Sequence, residues 1–182
     1  MGRLIVSAQM TADAVMDQLE GWFDPTRESE TYGLDQLRAA DALLLGRETY
    51  EFFSTFWPTS TGEPGGYADL VNSIPKFVVS RTLREPLTWN ATLVDGDVAE
   101  SVADLKRQHT GNLLSYGFGE LAHYLAGHGL IDEVGIWLHP VFWGDGLRPL
   151  QGGMPPVRFR LIGATTFSSG VVHLSYQPVH DD

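Results

Sequence analysis

The sequence contains no cysteine, which excludes disulfide bonds, thiolate nucleophiles and every metal site built on sulfur. It also lacks an apolar run of membrane length. Its first residues, MGRLIVSAQM, lack the apolar core of a signal peptide and the Ser or Thr that N-myristoylation needs at position 6. A chain without cysteine fits a reducing compartment. We therefore expect a cytoplasmic protein with no membrane partner.

Basic residues are scarce as well. Twelve Lys and Arg stand against 23 Asp and Glu, which gives a net charge of -11. A chain with this charge repels a nucleic-acid backbone and an anionic lipid surface. The motifs G-x-S-x-G and H-E-x-x-H are absent, and His123 and His128, five residues apart, point to different faces of a helix. We expect no nucleic-acid partner, no metal site and a small-molecule ligand.

The sequence alternates between apolar runs and segments in which the apolar residues have helical spacing. The runs RLIVSAQ, DALLL, KFVVS, NLLSYG and DEVGIWLHPVFWG predict strands, and LDQLRAA, ETYEFFSTFW, VAESVADLKRQ and GELAHYLAGHG predict helices. The last segment divides at SSG into a hairpin, TSTGEPGG reads as a loop, and WFDPTRESE is too irregular to assign. The pattern predicts one α/β domain over residues 1–182, with a mainly parallel central sheet flanked by helices and an antiparallel C-terminal β-hairpin.

Residues suited to an anion follow three of these strands. Gly46, Arg47 and Thr49 follow DALLL; Ser80, Arg81 and Thr82 follow KFVVS; and Gly117, Phe118, Gly119, Glu120 and Leu121 follow NLLSYG. Ligands collect beyond the carboxyl ends of parallel strands, arginine suits phosphate, and helix starts favour anions. Taken alone, GRET is better explained as a turn and SRT as a strand end, each with a solvated arginine, and glycine pairs before helices are mostly turns. As a set they predict a phosphorylated ligand, but GFGELA lies too late in the chain for a standard dinucleotide fingerprint.

The ordered segments LLLGRETYEFF, IPKFVVSRTL, Trp89-Asn90, LLSYGFGELAHYL and GLIDEVGIWLHPVFWGDG carry a family resemblance over nearly the whole chain. The sequence resembles the dihydrofolate reductase-like proteins related to the C-terminal, reductase domain of the riboflavin biosynthesis protein RibD. The resemblance implies a dihydrofolate reductase-like fold, NADPH as cofactor and a homodimer. It places Arg47 and Thr49 at the adenosine phosphates, Ser80 and Arg81 at the 2′-phosphate, and Gly117 to Leu121 around the pyrophosphate. No zinc-deaminase signature precedes the reductase-like part, so riboflavin synthesis itself is not expected.

The catalytic and substrate residues are less well defined. Related proteins carry Ser-Leu-Asp-Gly after the first strand, whereas MTADAVM keeps only Asp13 and has Ala14 in the glycine position. Asp13 acts as an acid, helps to order the loop near the nicotinamide, or only caps a local turn, and the last of these is favoured over a catalytic acid. Asp24, Glu28 and Glu30 are other proton-donor candidates. Trp22, Trp57 and Tyr116 are placed to stack on a planar substrate, although packing explains these aromatic residues about as well.

The resulting hypothesis is an NADPH-dependent oxidoreductase that reduces a planar heterocyclic substrate, such as a pterin or pyrimidine, or a carbonyl compound. One alternative is a nucleotide-binding module of the same fold without turnover. Another is a site for a different nucleotide. For the homodimer, we expect the strand VGIWLHPVFW and the last hairpin to leave a sheet edge that pairs with a second copy.

Overall fold

Eight strands form one sheet in the computed structural model, which describes residues 1–62, 65–149 and 156–179. The strands are β1 (Leu4–Thr11), β2 (Ala40–Gly46), β3 (Lys76–Val79), β4 (Ala91–Leu93), β5 (Asn112–Tyr116), β6 (Glu133–His139), β7 (Phe159–Thr166) and β8 (Val172–Pro178). The helices are α1 (Leu19–Trp22), α2 (Arg27–Arg38), α3 (Arg47–Phe56), α4 (Tyr67–Ser73), α5 (Val98–Gln108) and α6 (Glu120–Gly127), with a 3₁₀ turn at Trp57–Thr59.

The strand order is β4-β3-β2-β5-β1-β6-β8-β7. Strand β1 pairs with β6 in parallel, as β2 does with β3 and β5 and β3 does with β4, whereas β8 is antiparallel to both β6 and β7. The expected fold, a mainly parallel sheet with helices and an antiparallel C-terminal hairpin, is therefore confirmed. No helix in the described part of the chain is long and apolar enough to cross a membrane.

The chain divides into two compact units. The first comprises Met1–Leu4 and Glu30–Tyr116, and the second comprises Ile5–Ser29 and the residues from Gly117 onward. In the first unit, Leu43, Leu44 and Leu45 of β2 are all fully buried. A strand buried on both faces is typical of a parallel sheet, which explains the unbroken apolar run DALLL.

Several boundaries differ from the prediction. Helix α2 begins at Arg27, inside the segment that we could not assign, because Thr26 and Ser29 cap its start reciprocally: Thr26 N donates to Ser29 Oγ at 3.0 Å and Ser29 N donates to Thr26 Oγ1 at 3.4 Å. Strand β6 ends at His139, one residue before a proline. Short elements α1, α4 and β4 were not predicted. Within TSTGEPGG, residues 63–64 lie outside the described residues, and Thr59 ends the 3₁₀ turn.

The Trp89-Asn90 pair has a structural role in the first unit. Both residues are left-handed, with φ of 62° and 52°. The indole of Trp89 donates to Asn72 Oδ1 at 2.6 Å, and its ring lies 4.1 Å from Lys76 Nζ. Lys76 is buried and donates to Asn72 O at 2.9 Å, and burial lowers its pKa to about 8. These contacts fix the turn that leads into β4.

Candidate cofactor site

Two predicted phosphate ligands follow neighbouring strands of the first unit. Strands β2 and β3 are parallel, and Gly46 lies opposite Val79. Arg47 and Ser80 are therefore the next residues after an aligned pair, at the same edge of the sheet. The structure thus brings the GRET and SRT segments side by side, as the sequence predicts for the carboxyl ends of adjacent parallel strands.

Arg47 is an exposed cation that already has acidic neighbours. Its Nη1 lies 2.8 Å from Glu51 Oε2 and its Nη2 lies 3.2 Å from Glu48 Oε1, both on the same helix. Surface pairs of this kind contribute at most about 1 kcal/mol. A phosphate group, which carries more charge and accepts two hydrogen bonds from one guanidinium, can therefore displace either carboxylate.

The hydroxyl of Ser80 shapes the turn after β3. Its Oγ accepts hydrogen bonds from the backbone N–H of Thr82 at 3.1 Å and of Leu83 at 3.0 Å, and it lies 3.4 Å from Thr82 Oγ1. Arg81 lies inside this turn and its side chain is exposed. Ser80 and Thr82 thus hold the backbone from which Arg81 projects.

The start of α3 leaves donors available. Gly46 is the N-cap residue and contributes no side-chain hydrogen bond. Thr49, in the first turn, is partly exposed. The first N–H groups of a helix have no intrahelical acceptor, so this terminus suits an anion.

The glycine-rich turn of the second unit has open space above its backbone. Gly117 is left-handed, with φ of 84°, and its N–H donates to Ser7 O at 2.8 Å. A Cβ atom added to Gly117 or to Gly119 would meet no protein atom within 4 Å. Gly119 is the N-cap residue of α6 and contributes no side-chain hydrogen bond. Backbone that is free of side chains at a helix start fits a pyrophosphate group.

The other residues of this turn have separate environments. Phe118 is buried and its ring centroid lies 5.2 Å from that of His123, so it anchors the turn. Glu120 is exposed and Leu121 partly exposed in the first turn of α6. His123 is itself buried, its pKa is lowered by burial, and its Nε2 has no hydrogen-bond partner in the described part of the chain. The expectation of a surface or satisfied histidine holds for the exposed His128, but not for His123.

The carboxylate of Asp13 accepts several hydrogen bonds. Its carboxylate accepts hydrogen bonds from Thr11 Oγ1 at 2.7 Å, Trp143 N at 3.0 Å, Gly144 N at 2.8 Å and Arg148 Nη2 at 3.2 Å. The hydrogen bond from Thr11, followed by those from the two backbone amides, holds the pKa of Asp13 well below its usual range. A carboxylate that stays ionised is a poor proton donor. Of the expected roles of Asp13, the contacts favour loop ordering over acid catalysis.

The altered loop keeps a tight turn in spite of its alanine. Ala14 is left-handed, with φ of 66°. Its N–H donates to Thr11 O at 2.9 Å, and Val15 N donates to Thr11 Oγ1 at 2.9 Å. Left-handed backbone costs a residue other than glycine about 1–2 kcal/mol. The loop therefore forms a tight turn with a strained, left-handed residue at position 14.

Two of the three predicted substrate residues belong to one aromatic cluster in the first unit. Tyr67 links them, because its ring centroid lies 5.2 Å from that of Trp57 and its hydroxyl lies 2.6 Å from that of Tyr116. Phe53 contacts both, with centroids 5.9 Å from Trp57 and 5.4 Å from Tyr116. Burial of its hydroxyl raises the pKa of Tyr116 well above its usual value, so this tyrosine keeps its proton. Sequence reasoning missed Tyr67, which lies on a helix too short to show a period.

The third predicted substrate residue, Trp22, lies in the second unit. Trp22 is only 8% exposed, and its ring meets the His139 ring edge-on at 5.1 Å. Its Nε1 donates to Asp17 O at 2.8 Å, and His139 Nε2 lies 2.7 Å from Gln9 Oε1. These contacts favour packing over stacking on a ligand for Trp22.

Comparison with known proteins decides the family. The family model for the RibD C-terminal domain matches residues 3–173. The chain belongs to the RibD C-terminal domain family. The chain is also similar to the uncharacterised protein YyaP of Bacillus subtilis. The two are 28% identical over 178 residues, which cover 96% of this chain and 94% of YyaP.

Solved structures show the same fold. A putative riboflavin biosynthesis protein from a Shewanella species superposes with a TM-score of 0.76 at 22% identity, over 98% of this chain and 99% of the other. Dihydrofolate reductase from Enterococcus faecalis, in a complex with NADP(H), superposes with a TM-score of 0.60 at 15% identity, over 97% and 96%. The RibD C-terminal domain of this chain thus has the dihydrofolate reductase-like fold that its motifs predict.

Proposed function

We propose that this protein is an NADPH-dependent reductase of a small planar heterocyclic or carbonyl compound. The observation that carries the proposal is the pair of arginine-bearing segments at the aligned ends of β2 and β3, in a chain whose net charge is otherwise -11. In so acidic a chain, two arginine residues that follow the ends of adjacent strands are well placed to meet an anion. Membership of the RibD C-terminal domain family supports the same function.

Within each unit, the residues fit the part of the cofactor that we assign to them. Arg47, Thr49, Ser80 and Arg81 would hold the adenosine phosphates, including the 2′-phosphate. The open backbone from Gly117 to Leu121 would hold the pyrophosphate, where a side chain at Gly119 would stand in the way. NADPH, when bound, supplies the hydride.

The protein must then bind the substrate and provide a proton where the product needs one. Burial raises the pKa values of Tyr116 and Tyr67, so these hydroxyls would donate hydrogen bonds to a flat ring in the aromatic cluster and would not give up their protons. Asp13, as an ionised loop anchor, would position the segment from Thr11 to Gln18 and not act on the substrate. A Tyr116→Phe variant that turns over a substrate as fast as wild type would exclude a role of this hydroxyl in turnover.

Titration of NADPH against protein fluorescence tests the cofactor site. Arg47→Ala and Arg81→Ala should each weaken binding about 10- to 150-fold, because a hydrogen bond to a charged group contributes about 1.5–3 kcal/mol. Arg38→Ala is the matched control, since it removes the same charge from a surface pair with Asp35 on α2. Equal weakening by all three variants would mean that net charge, and not a phosphate site, governs binding.

The runner-up function is a nucleotide-binding module without turnover. The hydrogen bonds of Asp13 favour this alternative, because the residue that the sequence suggested as a catalytic acid is held as an ionised loop anchor. NADPH absorbance can be followed with pterins, pyrimidines, flavins and quinones as oxidants. Tight binding without oxidation of NADPH by any of them would favour the binding module. Displacement of NADPH by ATP or a flavin would favour a different nucleotide.

A further inference from the structure

Strand β1 carries three polar side chains on one face, and one of them is open to a ligand. Ser7, Gln9 and Thr11 alternate with apolar residues along the strand, so they share a face. Ser7 and Thr11 are buried, whereas Gln9 is partly exposed. Ser7 Oγ accepts a hydrogen bond from Trp137 Nε1 at 3.2 Å, and Thr11 Oγ1 donates to Asp13 at 2.7 Å. Gln9 is therefore the polar group of this face that a ligand can reach.

The ring of His139 holds the carboxamide of Gln9 by its oxygen. His139 Nε2 lies 2.7 Å from Gln9 Oε1. His139 is 5% exposed and burial lowers its pKa, so at neutral pH the ring is uncharged and carries one proton. Because the glutamine oxygen can only accept, that proton is on Nε2. The rings of Trp22 and Phe23, whose centroids lie 5.1 and 5.6 Å from that of His139, restrain the imidazole.

This hydrogen bond leaves the two N–H groups of the Gln9 carboxamide available. Their nitrogen has no hydrogen-bond partner in the part of the chain that the structure describes, and it is not enclosed by protein atoms. A solvated glutamine turns freely about its last torsion, whereas His139 fixes which end of Gln9 faces outward. An amide nitrogen offers two donors and no acceptor, so the group that it suits is a carbonyl oxygen.

Gln9 lies close to the turn that we assign to the pyrophosphate. The N–H of Gly117 donates to Ser7 O at 2.8 Å, and Gln9 is two residues, about 7 Å, nearer the carboxyl end of β1. Thr11, at that end, is aligned with His139 at the end of β6. The adenosine phosphates are assigned to residues of the first unit. The part of NADPH that follows the pyrophosphate in the second unit is therefore the nicotinamide with its ribose.

We propose that Gln9 donates a hydrogen bond to the carboxamide oxygen of the nicotinamide, and that His139 is a positioning residue that holds Gln9 for this contact. The inference rests on the proposed NADPH site. A donor fixed at Gln9 would set the rotation of the nicotinamide ring about its bond to the ribose. It would thereby determine which face of the ring is turned towards the substrate.

Fluorescence titration with two compounds tests the contact. One is NADPH, and the other is 2′-phospho-ADP-ribose, which has the same phosphates but no nicotinamide. Gln9→Leu should weaken NADPH binding at least about fivefold, because a carbonyl oxygen loses its donor, and should leave binding of 2′-phospho-ADP-ribose unchanged. Gln177→Leu is the matched control, since it removes the same carboxamide from an exposed position on β8, 3.0 Å from Arg160, and it should change neither affinity.

Two further measurements test the role of His139. His139→Phe keeps a ring against Trp22 and Phe23 but has no N–H, so it should also weaken binding of NADPH and not of 2′-phospho-ADP-ribose. Combined with Gln9→Leu it should cause no additional loss, because His139 acts only through Gln9. In the wild type, ¹⁵N NMR should find the proton of His139 on Nε2, and a proton on Nδ1 would overturn the assigned orientation of Gln9.

Circular dichroism of each variant establishes that it is folded before its affinities are interpreted. Equal weakening of both compounds by Gln9→Leu would overturn the inference, because the effect would then lie in the phosphate site and not at the nicotinamide. NADPH binding that is unchanged in Gln9→Leu would overturn it too, with the NADPH site itself left standing. A wild type that binds neither compound would overturn the proposed function, and this inference with it.

Discussion

Gly119→Ala separates a role in the fold from a role in binding a ligand. Gly119 has φ of -95° and ψ of -157°, an extended conformation that alanine adopts without strain. The added Cβ would meet no protein atom within 4 Å. Exposed substitutions without such clashes change stability by about 0.5 kcal/mol or less, which corresponds to roughly 2 °C in melting temperature for a chain of this size. The variant should therefore melt like the wild type.

NADPH binding should respond quite differently. The methyl group would stand where the pyrophosphate approaches the first amides of α6, and it would prevent at least one charge-assisted hydrogen bond. The loss of one such bond, about 1.5–3 kcal/mol, predicts binding that is weaker by about 10- to 150-fold in a fluorescence titration. Gly127→Ala is the matched control, because its Cβ also meets open space, at the other end of the same helix. A Gly119→Ala protein that binds NADPH as tightly as Gly127→Ala would refute the pyrophosphate assignment.

Three further predictions concern stability and charge. Ala14→Gly should raise the free energy of unfolding by roughly 1 kcal/mol in denaturant titrations, because it relieves a left-handed alanine; no change would show that the turn is not strained. Glu51→Gln should tighten NADPH binding up to about fivefold, since it frees Arg47 from its 2.8 Å partner; weaker binding would count against Arg47 as a phosphate ligand. Burial lowers the pKa of His173 from 6.5 to about 4, so the unfolded chain takes up a proton first, and stability should fall from pH 6.5 towards pH 4 by up to roughly 3 kcal/mol. His173→Gln should flatten that slope, and an unchanged slope would assign the acid sensitivity to other groups.

The sequence predicted the strands and the segments that follow them because both signals are local. An apolar run such as DALLL marks a buried strand, and the Gly46-Arg47 pair marks its end. The parallel order of β2 and β3 then places two such ends side by side without further information.

What the sequence could not predict depends on partners far along the chain. In the sequence, Asp13 is a loop carboxylate with no evident partner. In the structure it accepts hydrogen bonds from the backbone N–H groups of Trp143 and Gly144, which lie 130 and 131 residues later in the chain. The burial of His173 in β8 depends likewise on register with β6 and β7, because alternation alone does not say which side meets the core. The start of α2 could have been predicted, since Thr26 and Ser29 have the spacing of a capping pair.

A side-by-side titration of the wild-type protein with NADPH and with NADH shows whether the 2′-phosphate is bound. The two cofactors differ only in the 2′-phosphate that we assign to Ser80 and Arg81. We expect NADPH to bind at least about tenfold more tightly than NADH, as one charge-assisted hydrogen bond to that phosphate requires. Equal affinities, or no binding of either, would contradict it.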